Sequence, residues 1–102
     1  MQLRPGTRLE SATCDGQVVV VRAPAGVDFD LRCGGVPMRE LGTHGDRLPI
    51  IGLIGDPILL GKRYADEELS LEVLCTRSGD GVLTLADQPV PVKGAKPLPA
   101  SD

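Results

Sequence analysis

Leu69-Ser70-Leu71-Glu72-Val73-Leu74-Cys75-Thr76-Arg77-Ser78-Gly79-Asp80-Gly81-Val82-Leu83-Thr84-Leu85 is the stretch that decides the fold class. Leu69, Leu71, Val73 and Cys75 recur at every second position, the period that lines side chains along one face of a strand. Ser78-Gly79-Asp80-Gly81 then turns the chain, and Val82-Leu83-Thr84-Leu85 supplies the return strand of a predicted hairpin.

Working outward, the same grammar recurs. Val27, Phe29, Leu31 and Cys33 alternate with Asp28, Asp30 and Arg32, and Gly34-Gly35-Val36-Pro37 ends that strand with a sharp turn. Leu9 to Cys14 and Gln17 to Arg22 flank Asp15-Gly16, a pair suited to hairpin turns because glycine accepts positive φ. Pro89 and Pro91 bracket Val90, so any strand there belongs at an edge. Residues 48–60 are apolar but cut by Gly and Pro. Burial is expected for them in a single chain, since large exposed apolar patches are uncommon, with docking on a partner protein as the alternative. The sequence reads as containing no internal repeats, and residues 94–102 read as a surface tail.

The expected fold is therefore all-β: a small sheet or barrel of short antiparallel strands in a single domain over residues 1–102. Composition agrees. The chain has 102 residues, enough for one core, and its 13 Gly and 9 Pro argue for many short strands over long helices. Phe29 and Tyr64 are its aromatics, so Val, Leu and Ile must build the interior.

Charge excludes some functions. The net charge is −3 with both signs interspersed. No basic stripe faces a phosphate backbone and no aromatic platform stacks bases, so nucleic acid is not an expected partner. Neither a signal-peptide core nor a membrane-length apolar run is present. Three widely spaced cysteines make no secreted disulfide framework, and a cytoplasmic protein with reduced thiols is expected.

Cys14 and Cys33 stand in suggestive surroundings: Gly6-Thr7 and Leu9, then Cys14-Asp15-Gly16-Gln17-Val18-Val19, then Leu31-Arg32-Cys33-Gly34-Gly35-Val36-Pro37-Met38. Residues 6–38 so arranged resemble desulforedoxin and the N-terminal domain of desulfoferrodoxin, small rubredoxin-like β modules. There, a Cys-x-x-Cys-Gly knuckle and a Cys-Cys pair before Gly-x-Pro-Met hold one iron by four thiolates. The resemblance implies a desulforedoxin-like sheet over residues 1–40, with residues 62–93 adding a second hairpin layer. It also implies homodimerisation, because desulforedoxin pairs its small sheets. The ligands depart from the pattern. Ser11 and Gly34 occupy two of the four cysteine positions, and Asp15 lies between Cys14 and the glycine. Two thiolates hold iron or zinc far more weakly than four, so the resemblance implies the fold more than the metal.

Other readings of these residues stay open. Cys14, Cys33, Cys75 and His44 would together make one Cys₃His zinc set, although no Cys-x-x-Cys pair nucleates it. Cys75 also fits a strand's apolar face, where free cysteine acts as a small hydrophobe. If the family's geometry is kept, Cys14 and Cys33 lie close enough to form a disulfide. No set of acid, base and nucleophile is evident, so an enzyme acting alone is not expected. The leading expectation is a non-catalytic accessory domain that binds a protein partner and carries no cofactor. The alternative is a metal or redox module built on Cys14 and Cys33, using zinc or iron with Cys75 or His44.

Overall fold

The computed structural model describes residues 1–43, 45–51 and 55–93. Among them there is no helix, and therefore none long and apolar enough to cross a membrane. The first part of the chain forms β1 (Arg8–Glu10), β2 (Gln17–Arg22), β3 (Leu31–Cys33), β4 (Val36–Pro37) and β5 (Arg39–Glu40). The second forms β6 (Arg63–Asp66), β7 (Leu71–Arg77), β8 (Leu83–Leu85) and β9 (Gln88–Pro89). All pairings are antiparallel. One sheet runs β5-β1-β2-β7-β6 and the other β4-β3-β8-β9. The all-β class is as the alternation indicates. Neither sheet closes into a barrel.

The predicted hairpin over 69–85 is not one. β7 pairs with β2 and β6, whereas β8 pairs with β3 and β9. The turn at 78–82 therefore carries the chain from one sheet to the other. Nor do residues 62–93 form a layer added to residues 1–40, because each half of the chain gives strands to both sheets.

The pairing pattern reveals a repeat. Leu9 faces Val18 and Arg8 faces Val19 in the first half; Tyr64 faces Val73 and Arg63 faces Leu74 in the second. Met38 N–H donates to Leu31 C=O at 2.9 Å, and Val90 N–H to Leu83 C=O at 3.0 Å. Leu41 N–H reaches Arg8 C=O, and Lys93 N–H reaches Arg63 C=O, at 2.9 and 2.7 Å. The hairpin β3–β4 turns on two left-handed residues, Gly34 (φ 71°) and Gly35 (φ 82°), and β8–β9 keeps the first of them at Ala86 (φ 54°). The seams obey the same exchange. Val18 faces Cys75 while Val20 faces Val73, and Leu31 faces Leu85 while Cys33 faces Leu83. Two like halves thus pair about a pseudo-two-fold running through Val19–Leu74 and Arg32–Thr84.

The core follows that symmetry. Leu9 and Tyr64, Val18 and Val73, Val20 and Cys75, Leu31 and Leu83, and Met38 and Val90 are corresponding pairs, and all are buried in one cluster. Each large aliphatic side chain so buried contributes about 1.5–3 kcal/mol. The connection between the halves is less buried than its composition suggests. Ile58 is fully buried, but Leu48, Ile50, Ile51, Leu59 and Leu60 are exposed. The predicted tail, 94–102, and residues 52–54 lie outside the described residues.

One buried charge breaks the alternation of β7. The Glu72 side chain is 3% exposed and receives Lys93 Nζ at 2.6 Å and Arg63 Nη1 at 3.1 Å. The Lys93 bond, followed by the Arg63 bond and the charges of both, outweighs burial and holds the carboxyl below its ordinary value. The folded chain therefore binds this proton more weakly than the unfolded chain does. The resulting stabilisation is present above the unfolded pKa and is lost as pH falls through the folded one. Because Arg63 and Lys93 are themselves half exposed, Glu72→Gln is expected to cost about 1–2 kcal/mol at neutral pH. Urea denaturation should show this gap closing as the carboxyl protonates in strong acid. A gap that persists there would refute the assignment.

Candidate dithiol site

The loop of residues 11–16 between β1 and β2 is built around a hydroxyl. Ser11 Oγ accepts the N–H of Thr13 at 3.0 Å and of Cys14 at 3.2 Å. Such local side-chain acceptance folds Ser-rich loops because it satisfies N–H groups that no ladder uses. Gly16 N–H in turn points at Cys14 Sγ, 3.4 Å away. The corresponding turn of the second half keeps only the frame: Asp66 Oδ1 accepts Leu69 N–H, and a leucine stands where the first half has Cys14.

Cys33 comes to this loop from the end of β3. Thr13 Oγ1 donates to the Cys33 carbonyl at 3.0 Å and lies 3.0 Å from Ser11 Oγ, which ties the loop to the strand. The two sulfurs, Cys14 Sγ and Cys33 Sγ, are 3.9 Å apart. Their roof belongs to the second half. A Cβ on Gly79 would sit 2.5 Å from Cys14 Sγ, and one on Gly81 would sit 2.8 Å from Cys33 Sγ. Ile58 closes the roof, donating its N–H to Gly81 C=O at 3.1 Å and accepting Gly79 N–H at 3.3 Å.

The thiols differ in access and acidity. Cys33 is fully buried, whereas Cys14 is 6% exposed and lines two surface clefts. Burial pushes the Cys14 thiol up, but bonds from the Ser11 hydroxyl, the Gly16 and Gly81 N–H groups and the Cys33 thiol outweigh it. The net shift is downward. Burial, then the proximity of Cys14, pushes Cys33 up to about 12. Cys14 is the thiol that ionises first.

Of the remaining sequence candidates, Cys75 does not join this pair. Cys75 is buried on β7, where its Sγ–H donates to the Arg77 carbonyl at 3.1 Å. It corresponds to Val20 of the first half, which accounts for it as a core residue. His44 lies outside the described residues. Among the described residues no three His, Cys, Asp or Glu side chains gather to hold a metal ion. A four-thiolate iron site does not fit the loop either. Ser11 Oγ is engaged by two backbone N–H groups, and a side chain at Gly34 would overlap Thr13 Oγ1.

Sequence reasoning found both sulfurs but missed Thr13, Ile58, Gly79 and Gly81. The Gly-x-Gly spacing at 79–81 was the available signal, and it reads equally well as a turn. Comparison with known protein families, curated proteins and solved structures finds no match.

Proposed function

We propose that the chain is a thiol–disulfide module on a desulforedoxin-like scaffold, with Cys14 and Cys33 cycling between dithiol and disulfide. The observation that carries this reading is the 3.9 Å approach of the two sulfurs. A disulfide bond is about 2.05 Å long, so a side-chain adjustment of about 2 Å closes it. The reaction partner is a small-molecule disulfide. Cys14 thiolate attacks one of its sulfurs, forming a mixed disulfide and releasing one thiolate. Cys33, losing its proton, then attacks Cys14 Sγ and displaces the second thiolate. The released thiolates take up the two protons, the protein dithiol is oxidised by two electrons, and the small disulfide is reduced.

The test is titration with oxidised glutathione, followed by mass spectrometry and peptide mapping. Two hydrogens should be lost per chain, with Cys75 remaining reduced. Cys33→Ser should stall at the mixed disulfide, and Cys14→Ser should not react at a comparable rate. The pH at which the reaction reaches half its limiting rate should lie below that of an unperturbed thiol, measured in parallel on a cysteine peptide. Three free thiols at every glutathione ratio would refute the reading. So would one equivalent of zinc or iron that is lost in Cys14→Ala.

A second reading is supported by the exposed Leu48, Ile50, Ile51, Leu59 and Leu60. In it, the chain is a non-catalytic accessory domain that docks on a larger protein, and the thiols are a remnant. In either case a cytoplasmic setting fits reduced cysteines. The internal pairing of like halves supports a chain that acts as one copy, and a sedimentation experiment giving a dimer mass would overturn that.

A further inference from the structure

We propose that the polar cleft beside Cys14 takes a disulfide carrying negatively charged groups, with Arg77 as its recognition group. This rests on the dithiol reading and narrows it to a substrate class.

The cleft has a volume of about 300 Å³ and is lined by Cys14 together with Arg39, Arg47, Arg77, Glu10 and Asp15. Three guanidiniums thus face two carboxylates in a chain whose net charge is −3. Both carboxylates are already engaged. Glu10 receives Arg39 Nε at 3.1 Å and Gly42 N–H at 3.2 Å, and Asp15 receives Arg47 Nη2 at 2.8 Å. Arg77 has no salt bridge among the described residues. It sits at the end of β7 opposite Gln17, and its charge is felt at Asp15. A guanidinium offers five N–H donors in a planar fork that matches a carboxylate. An incoming carboxylate would therefore meet unspent donors next to the sulfur that attacks.

The other opening at Cys14 has the opposite character. Its volume is about 320 Å³, and its lining includes Asp15 and Asp80 against Arg47, with Ile58 and Leu59 alongside. A cationic or uncharged disulfide would enter there. The two clefts make the question one of relative rates.

Three alkyl disulfides separate the possibilities: anionic 3,3′-dithiodipropionate, neutral hydroxyethyl disulfide and cationic cystamine. The rate of each with the intact chain is divided by its rate with free 2-mercaptoethanol, which removes intrinsic reactivity. The anionic reagent is expected to be about tenfold faster than the cationic one at low ionic strength. Added salt at about 0.5 M should erase most of that preference, as screening requires. Arg77→Gln, at an exposed position, should lower the anionic-to-neutral ratio about threefold, and Arg47→Gln should lower it as well. Equal normalised rates, a faster cationic reagent or an unchanged ratio in Arg77→Gln would overturn the proposal while leaving the dithiol intact. If none of the three reagents oxidises Cys14 and Cys33, the dithiol reading falls and this proposal falls with it.

Discussion

Alanine at position 79 is expected to destabilise the chain by about 2–3 kcal/mol, lowering its melting temperature by about 10–20 °C. The added methyl has nowhere to go. It would lie 2.5 Å from Cys14 Sγ and 2.5 Å from the Gly16 nitrogen, inside any permitted contact. Gly16 cannot yield easily, because a Cβ there would itself meet Ile58 Cδ1 at 2.5 Å. Ile58 is fully buried and hydrogen-bonded to both Gly79 and Gly81. The strain must therefore spread through the roof and move the sulfur pair. Chemical denaturation measures the stability, and the rate of glutathione oxidation reports the sulfurs. A loss under about 0.5 kcal/mol, the range of neutral surface substitutions, would mean that the roof does not close on the thiols as described.

Leu9→Ala should have an effect at least as large, about 2–5 kcal/mol. Leu9 is fully buried on β1, between β2 and β5, and belongs to the single cluster that draws on both halves. Removing its branched end leaves a cavity that the flanking strands, locked by their ladders, fill only in part. Tyr64 is its counterpart, so Tyr64→Ala gives a second readout of the same cluster. Because β2–β7 and β3–β8 stitch the halves together, both substitutions should shift one cooperative transition. Two separate transitions in either variant, monitored by far-ultraviolet circular dichroism, would show that the halves fold independently.

The alternation of apolar residues was legible. Phe29, Leu31, Cys33, Leu71, Val73 and Cys75 are buried as their spacing requires. Leu69, read as the first residue of that face, instead lies in the turn before β7 and is exposed, and Val27 is only partly buried. What could not be read was which strand pairs with which. Ser78-Gly79-Asp80-Gly81 has the composition of a hairpin turn, but a turn that changes sheets uses the same residues, and the choice is made by distant partners. The repeat escaped notice for a related reason. Gly6 and Gly61, Arg8 and Arg63, Leu31 and Leu83, and Pro37 and Pro89 are identical between corresponding positions, but most others share only polarity or size. Backbone pairing preserves what side chains have let drift. The site divides in the same way. Cys14 and Cys33 were recognisable from their neighbours, whereas the glycines that cap them come from the other half of the chain.

The two halves also solve a shared problem at their outer borders. Pro37 faces Arg32 and Pro89 faces Thr84, in each case one residue before the N–H that bonds inward, at Met38 and Val90. In such a register the backbone nitrogen of the facing residue points away from the sheet. Proline puts no hydrogen there, so β4 and β9, the edge strands of the four-stranded sheet, each present a border that cannot complete a ladder with a newcomer. A protein assembled from short open sheets would otherwise be a template for its own polymerisation. Here the duplicated proline removes the outward donor at both ends of the four-stranded sheet, and leaves a newcomer only a carbonyl to pair with there.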